Sequence, residues 1–310
     1  MTTESLCVAV TGGTGMLGGA VLDELLARGH TVRALVRPRS GRVPNPREGI
    51  TWIEGALDDA ASLDALVRSA DAICHLAFSA FEEPPPVGRS IAEHFVQTNV
   101  VGTLRLIERT PATRLGQMLF ASTLAVFGEN PHLLPGADRL PLDEDFPVWP
   151  AEFYGGHKAA LEKLVLAAAG APGMNASAWR IGCVLGHYPD RGRDPLAPIV
   201  DDAQEHGEIR TRKGAYVVAA RDVARCMADA LGDATVRGGI YHVFDRWLDF
   251  TTLDGLLSEI LDRPIGRATE AAPPPCPALS NARLRARGVQ FGTETELPAL
   301  LRRLLAADDA

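Results

Sequence analysis

The stretch "VAVTGGTGMLGG", residues 8–19, runs an apolar strand directly into four glycines within seven residues. Glycine weakens any regular element that contains it. It is kept where the backbone must take a positive φ or where another group must come very near the main chain. The cluster therefore predicts a tight turn with something bulky lying against it. The next segment, "GMLGGAVLDELLARG" (15–29), carries apolar residues at helical spacing, with Gly29 as its stop. Gly12, Gly15 and Gly18 thus follow a strand and open a helix, spaced G-x-x-G-x-x-G. That is the context a dinucleotide fingerprint requires. The first glycine permits the turn, the second lets a pyrophosphate approach, and the third packs the helix on the sheet, with the helix N-terminal amides holding the phosphates.

Outward from this turn, strand-like and helix-like patterns alternate. Strands are predicted at "TVRALVR" (31–37), "ITWIEG" (50–55), "DAICHLAF" (71–78), "GQMLFAS" (116–122) and "MNASAWRIGCVLG" (174–186). Helices are predicted at "DDAASLDALVRSA" (58–70), from Ile91 to Arg109, and at "FYGGHKAALEKLVLAAA" (153–169). Alternation of this kind, with apolar strands, marks a parallel sheet covered on both faces. After Gly186 the pattern turns irregular. "HYPDRGRDPLAP" (187–198) and "RATEAAPPPCPALS" (267–280) read as surface loops. A helix from about Arg221, a strand "GIYHVF" (239–244), a helix "TTLDGLLSEILDR" (251–263) and two short helices in the last forty residues complete the chain. The expected fold is α/β, a Rossmann-type doubly wound parallel sheet with a small C-terminal substrate lobe. Residues 1–186, with 211–246 returning to them, would form the dinucleotide-binding domain. Residues 187–210 and 247–310 would form the lobe.

Composition narrows the function classes. The chain has 310 residues, 46% hydrophobic and 23% charged, with a net charge of −8. An acidic balance argues against nucleic acid or an anionic membrane surface as partner. No apolar run approaches a membrane span, and "MTTES" lacks a basic leader segment, so a cytoplasmic protein is expected. Five scattered cysteines, Cys7, Cys74, Cys183, Cys226 and Cys276, show no metal-binding spacing and read as free thiols.

The end of the second strand bears on the cofactor. NAD enzymes place an acidic side chain about 20 residues after the glycines, against the ribose hydroxyls. Here "ALVRPRSGR" offers Arg37, then Arg39 and Arg42, and a guanidinium suits a 2′-phosphate. NADP is the expected cofactor, with NAD kept open. Further on, "FYGGHK" puts Tyr154 and Lys158 four residues apart on one helical face. A phenol titrates near pH 10, and an adjacent ammonium lowers that value, so the pair suits proton exchange with an alcohol oxygen.

With "TGGTGMLG", "HLA" (75–77), "TNVVGT" (98–103), "ASTLAVFG" (121–128), "YGGHK" (154–158), "RIGCVLG" (180–186) and "RDVAR" (221–225), the chain resembles the extended short-chain dehydrogenase/reductase superfamily, the NAD-dependent epimerase/dehydratase group. The resemblance implies Tyr154 as catalytic acid/base and Lys158 on the nicotinamide ribose. It implies Thr123 as the hydroxyl that holds the substrate oxygen. Gly12, Thr14, Gly15, Met16, Leu17, Gly18, Arg37, Leu57, Ala77, Asn99 and Ser122, with Tyr154 and Lys158, would surround the cofactor. A homodimer through the helices at 91–109 and 154–169 is a candidate assembly. His75 reads as a core-edge residue, and the acidic run "LDEDF" (142–146) as a solvated loop.

Departures from the group's pattern matter as much. Leu124 and Ala125 stand where nucleotide-sugar dehydratases of this group carry an Asp-Glu pair, so water elimination is not expected. Ala56 replaces an adenine-binding aspartate, Gly182 or Cys183 an asparagine near substrate phosphates, and Ala219 a histidine. Arg210, Arg212 and Lys213 remain for an anion. The leading expectation is an oxidoreductase exchanging hydride between a nicotinamide cofactor and a small-molecule alcohol, carbonyl or sugar. A sugar or nucleotide-sugar epimerase with tightly held cofactor is the alternative. A non-catalytic NADP-binding sensor is the third reading.

Overall fold

The computed structural model describes residues 4–37, 45–80, 88, 90–128, 141–268, 270, 272 and 278–307; Arg39, Arg42 and Cys276 lie outside them. In chain order the strands are β1 (Cys7–Thr11), β2 (Thr31–Val36), β3 (Ile50–Glu54), β4 (Ala72–His75), β5 (Gln117–Thr123), β6 (Asn175–Ile181), β7 (Cys183–Leu185), β8 (Glu208–Ile209), β9 (Gly214–Ala219), β10 (Ile240–Val243), β11 (Arg246–Asp249) and β12 (Gly266–Arg267). The α-helices are α1 (Met16–Ala27), α2 (Ala60–Val67), α3 (Ile91–Phe95), α4 (Gly102–Arg109), α5 (Phe153–Ala168), α6 (Ala197–His206), α7 (Ala220–Asp229), α8 (Asp254–Leu261), α9 (Ala282–Ala286) and α10 (Thr293–Ala307). None of them is long and apolar enough to cross a membrane among the described residues.

The chain divides into two compact units, Met1–Ser122 with Gly156–Trp179 and Ala224–Ile240, and Thr123–Gly155 with Arg180–Val223 and Tyr241–Ala310. The seven-stranded sheet has the order β10-β6-β5-β4-β1-β2-β3. Strands β3, β2, β1, β4 and β5 pair in parallel. Reading from β3, this is the doubly wound 3-2-1-4-5-6 order, which reverses between β1 and β4. Burial explains why these strands lack alternation. All four residues of β4 are buried, as are six of the seven in β5. In the first unit, Leu63, Leu66, Ile73, Leu106, Met118 and Phe120 are at most 1% exposed and form its core.

The second unit is built around a three-stranded sheet, β11-β9-β7, and the short parallel pair β12-β8. Strand β9 runs antiparallel to β11 and parallel to β7. Ile199, Val200, Val217, Phe250, Leu257 and Leu301 form its core.

Four sequence expectations need correction. The run 174–186 is two strands in different sheets, broken at Gly182. A Cβ there would overlap the carbonyl oxygen of Tyr216 and stand 3.3 Å from Cβ of Phe244, so only glycine lets the chain change sheets at that point. The helix from Ile91 to Arg109 is continuous but contains a π-helical stretch, Val96–Val101. Part of the 187–198 loop is ordered as a 3₁₀ turn, Arg191–Arg193, leading into α6. The second of the two terminal helices, α10, is not short, at 15 residues.

Helix α1 offers a paired test on neighbouring glycines. A Cβ on Gly18 would overlap the carbonyl oxygen of Gly12 and stand 2.7 Å from Cα of Gly13, whereas one on Gly19 meets nothing within 4 Å. Gly18→Ala should destabilise the chain by about 1–3 kcal/mol through overpacking. Gly19→Ala should stabilise it by about 0.5–1 kcal/mol through helix propensity. Urea denaturation of both variants checks the opposite signs.

Candidate active site

Within the first unit, the turn after β1 is shaped by backbone approach. Gly12 has φ +78°, and a Cβ on it would stand 2.8 Å from the backbone nitrogen of Ala77. Ala77 N donates to Thr11 Oγ1 at 3.2 Å, and that hydroxyl also pairs with His75 Nδ1 at 2.7 Å. His75 Nε2 meets Thr103 Oγ1 at 2.9 Å. With 1% exposure and both ring nitrogens occupied, His75 is a structural clasp, and burial pushes its pKa down to about 3.

Gly15 is exposed, and a Cβ on it would find only the Gly12 carbonyl oxygen, at 3.4 Å. It is the N-cap of α1, and no side chain caps that end among the described residues. Backbone N–H groups of a first helical turn have no partner within the helix and attract anions. Thr14, Met16 and Leu17, all half-buried, flank that end. An open glycine at an uncapped helix start fits a dinucleotide pyrophosphate, with Gly12, Gly15 and Gly18 as the residues that would cradle it.

The other expected cofactor residues are placed more variously. Arg37 is exposed immediately after β2. Leu57 is 5% exposed and packs beneath Gly102, where an added Cβ would come within 2.7 Å of the Leu57 Cβ. Its side chain belongs to the core, so what it offers a ligand is backbone. Asn99 is buried in the π stretch and grips Ser79, accepting from Ser79 N and donating to Ser79 O, each at 2.9 Å. It thereby fixes the segment leaving β4. Ser122 is buried and donates to Glu162 Oε2 at 3.0 Å. Glu162 is fully buried and was not singled out by the sequence; its only signal is one more charged position on an otherwise apolar stripe.

Lys158, on α5, is 4% exposed. Its Nζ donates to the Ala121 carbonyl at 2.8 Å and lies 5.0 and 5.3 Å from the ring centroids of Phe120 and Phe78. Burial lowers its pKa to about 8. His157, packed on Phe78 and Phe95, is likewise pushed down by burial, to about 4.

Thr123 and Tyr154 belong to the second unit. Thr123 ends β5 and caps the 3₁₀ turn Leu124–Phe127, its Oγ1 accepting from Ala125 N at 3.2 Å. The start of α5 lies on this turn because Gly155 has no side chain; a Cβ there would overlap the Ala125 carbonyl oxygen. Tyr154 is thereby brought to hydrogen-bond with Thr123. The tyrosine is 37% exposed overall, but desolvation around its hydroxyl raises the phenol pKa, and the Thr123 hydrogen bond offsets part of that. The direction is the reverse of the lowered value expected from the sequence. Removing water from a phenolate costs more here than the neighbouring groups return.

Both hydroxyls line a cleft of about 480 Å³. Leu124 and Ala125 share its wall, as do Cys183, Tyr188, Tyr216 and Arg193. The last three were missed by sequence reasoning because they fall in segments without periodicity. Arg210, Arg212 and Lys213 are exposed, and none is among the cleft's described lining residues; Arg210 Nε pairs with Glu208 at 3.1 Å. The acidic run 142–146 is not simply a solvated loop. Glu144 is 2% exposed, accepts from His242 N at 3.1 Å, and its backbone oxygen accepts from Arg180 Nη1 at 3.3 Å.

Comparison with known proteins gives the chain's family and fold. Residues 8–243 match the family model described as NAD dependent epimerase/dehydratase family. A UDP-glucose 4-epimerase of Streptomyces lividans is 29% identical over 172 residues, covering 54% of this chain and 49% of the relative. A 4-hydroxy-2-methyl-3-oxo-4-farnesyl-3,4-dihydroquinoline-1-oxide ketoreductase of Stigmatella aurantiaca is 34% identical over 165 residues, covering 53% and 46%. The chain spans about half the length of the curated relatives it matches. The fold is also that of the Bordetella bronchiseptica enzyme WbmH in complex with NAD+, with TM-score 0.73, 22% identity and 96% of each chain covered.

The buried His75 gives the chain a defined acid sensitivity. Its folded pKa of about 3 lies below the ordinary 6.5, so the unfolded chain takes up this proton first. The stabilisation is complete above pH 6.5 and is lost as pH falls from there toward 3. Between pH 7 and pH 5 this one group should remove roughly 2 kcal/mol of stability. Urea denaturation at the two pH values should show the loss, and a His75→Gln chain should show a shallower decline.

Proposed function

Starting from the premise that this chain belongs to the NAD dependent epimerase/dehydratase family, we propose that it is a nicotinamide-dependent oxidoreductase. Its substrate would be a secondary alcohol or the corresponding carbonyl compound, with Tyr154 moving the proton. The observation that carries this reading is the hydrogen-bonded pair of Thr123 and Tyr154 hydroxyls on the wall of a cleft.

When bound, the cofactor supplies or accepts the hydride. The chain's own residues do the rest. Thr123 holds the substrate oxygen beside the phenol, which limits its orientation. Burial raises the Tyr154 pKa further above its ordinary value, so at neutral pH the hydroxyl holds the proton that carbonyl reduction requires. Lys158 has three N–H donors, one committed to Ala121, leaving others for ribose hydroxyls. With a pKa of about 8 it still carries its charge at pH 7.

Arg37 supports NADP over NAD, since an exposed guanidinium follows β2 where a ribose-binding carboxylate would otherwise stand. A second reading is favoured by one finding: relatives such as the Streptomyces lividans protein are UDP-glucose 4-epimerases. An epimerase would use the same hydroxyl pair in both directions on a substrate held in one encounter. Val96, Leu104 and Leu164, exposed at 46%, 37% and 40%, are the apolar residues that a homodimer would cover.

Tyr154→Phe should lower kcat by about 10²–10⁴ while the cofactor dissociation constant, read by calorimetry, stays close to that of the parent chain. Full turnover in this variant would remove Tyr154 from the mechanism. Arg37→Ala should weaken NADP by roughly tenfold or more, the scale of a lost charge-assisted hydrogen bond, with little change for NAD. Equal losses for the two cofactors would show that the arginine does not read the 2′-phosphate.

A further inference from the structure

The cleft's wall tells what it admits. With Tyr154, Tyr188 and Tyr216 are its largest lining side chains, and the hydroxyls of the latter two bond to backbone groups. Tyr188 donates to the Val184 carbonyl at 2.8 Å. Tyr216 accepts from Leu279 N at 2.9 Å, and its ring is braced by Phe244 and Trp247, with centroids 4.7 and 5.3 Å away. With these bonds made, what the two tyrosines add to the cavity wall is mainly ring carbon, Tyr216 keeping its O–H as a donor. Leu124, Ile181, Val184, Pro195 and Ala215 add aliphatic surface. Cys183 is a neutral thiol, its pKa pushed up to about 11 by burial.

Polar capacity is correspondingly scarce. Thr123 and Tyr154 provide the reacting hydroxyls. Arg193 is the one charged side chain among the described lining residues. Its side chain is 74% exposed and lies 3.5 Å from the Asp190 carboxylate, so it faces solvent and is already partly neutralised. A diphosphate brought into such a cleft would exchange its water for a few hydroxyls and one solvent-facing guanidinium among the described lining residues, with Lys213 acting on Cys183 from outside that lining, and most of its charge would stay uncompensated. An apolar ring system would gain from the same walls, and about 480 Å³ is in the range for a molecule of drug-like size.

We infer that the substrate is an uncharged ketone, or its secondary alcohol, flanked by aromatic or alicyclic carbon, and not a nucleotide diphosphate-sugar. This rests on the oxidoreductase reading proposed above. In the reducing direction, the carbonyl carbon gains a hydride from the reduced nicotinamide dinucleotide and a C–H bond forms. The C=O π pair moves to oxygen, which takes the Tyr154 proton. The dinucleotide leaves oxidised, and the phenol is reprotonated from solvent.

Calorimetry with NADPH and NADH comes first. The chain with cofactor is then given acetophenone, 1-tetralone and UDP-galactose, with the nicotinamide absorbance followed and the products separated by chromatography. The expected result is ketone-dependent loss of reduced nicotinamide with an equivalent of alcohol formed, and no conversion of UDP-galactose or inhibition by it. Tyr188→Phe should leave the ketone KM near its parent value. Tyr188→Ala should raise it about tenfold or more with little change in kcat, as loss of apolar wall requires. Refusal of every ketone by a chain that takes up cofactor would overturn the substrate assignment and leave the oxidoreductase reading standing, whereas conversion of UDP-galactose to UDP-glucose would overturn both in favour of the epimerase reading. Failure to take up either cofactor would instead bring down the oxidoreductase reading, and the assignment with it.

Discussion

Helix α1 rests on a carbonyl oxygen. There is no room for a methyl group between Gly18 and the Gly12 carbonyl, or between Gly12 and the backbone of Ala77. Both contacts are backbone against backbone, so no rotamer change can relieve an intrusion, and the helix start is tied to the ends of β1 and β4 together. The polar ladder beside it has the same effect on the neighbouring segment. Thr11, His75 and Thr103 join β1 to β4 and α4, while Asn99 holds Ser79. The N-terminal end of α1 is thus positioned by groups that cannot easily move, the preorganisation that binding a phosphate there would need.

Most of this architecture was legible in the residues because it depends on period and on glycine placement. The first five strands and their helices appear as apolar runs and 3.6-residue patterns, and the turn appears as a glycine cluster. What escaped was set by tertiary contact. The run from Met174 to Gly186 is largely apolar without a turn signal, so nothing in its pattern shows that Gly182 must pass the Tyr216 carbonyl and change sheets. The burial of Glu144 was equally hidden, since its partners His242 and Arg180 are distant in sequence. The cleft walls at Tyr188 and Tyr216 share that problem. Their roles follow from where β7 and β9 lie side by side, and neither residue is marked by spacing.

In the candidate site the electrostatics run against the expectation from the sequence. A phenol and an ammonium on one helical face invite the inference of an acidic phenol. Burial acts on the two groups in opposite directions, raising the tyrosine and lowering the lysine to about 8. Each shift disfavours the charged form, so each moves its group toward neutrality. On the proposed reading, the phenol would enter the reaction protonated, and the developing charge on a substrate oxygen would set when the proton moves.

On the proposed reading, the desolvation that raises Tyr154 also sorts substrates. A wall of aromatic rings and aliphatic side chains raises the cost of every charge that enters, and it does so for the phenolate and for a ligand's phosphates alike. The residues at Leu124, Ala125 and Gly182 contribute by what they lack, since none can accept a proton or hold an anion through its side chain. A cleft that keeps Tyr154 protonated is for that reason a poor host for a diphosphate, unless cations are built into it. The described lining provides one guanidinium, turned to solvent beside Asp190. On the proposed reading, proton chemistry and specificity in this unit have a common origin, the low polarity of one surface. A substitution that placed a charge on that surface would alter both at once.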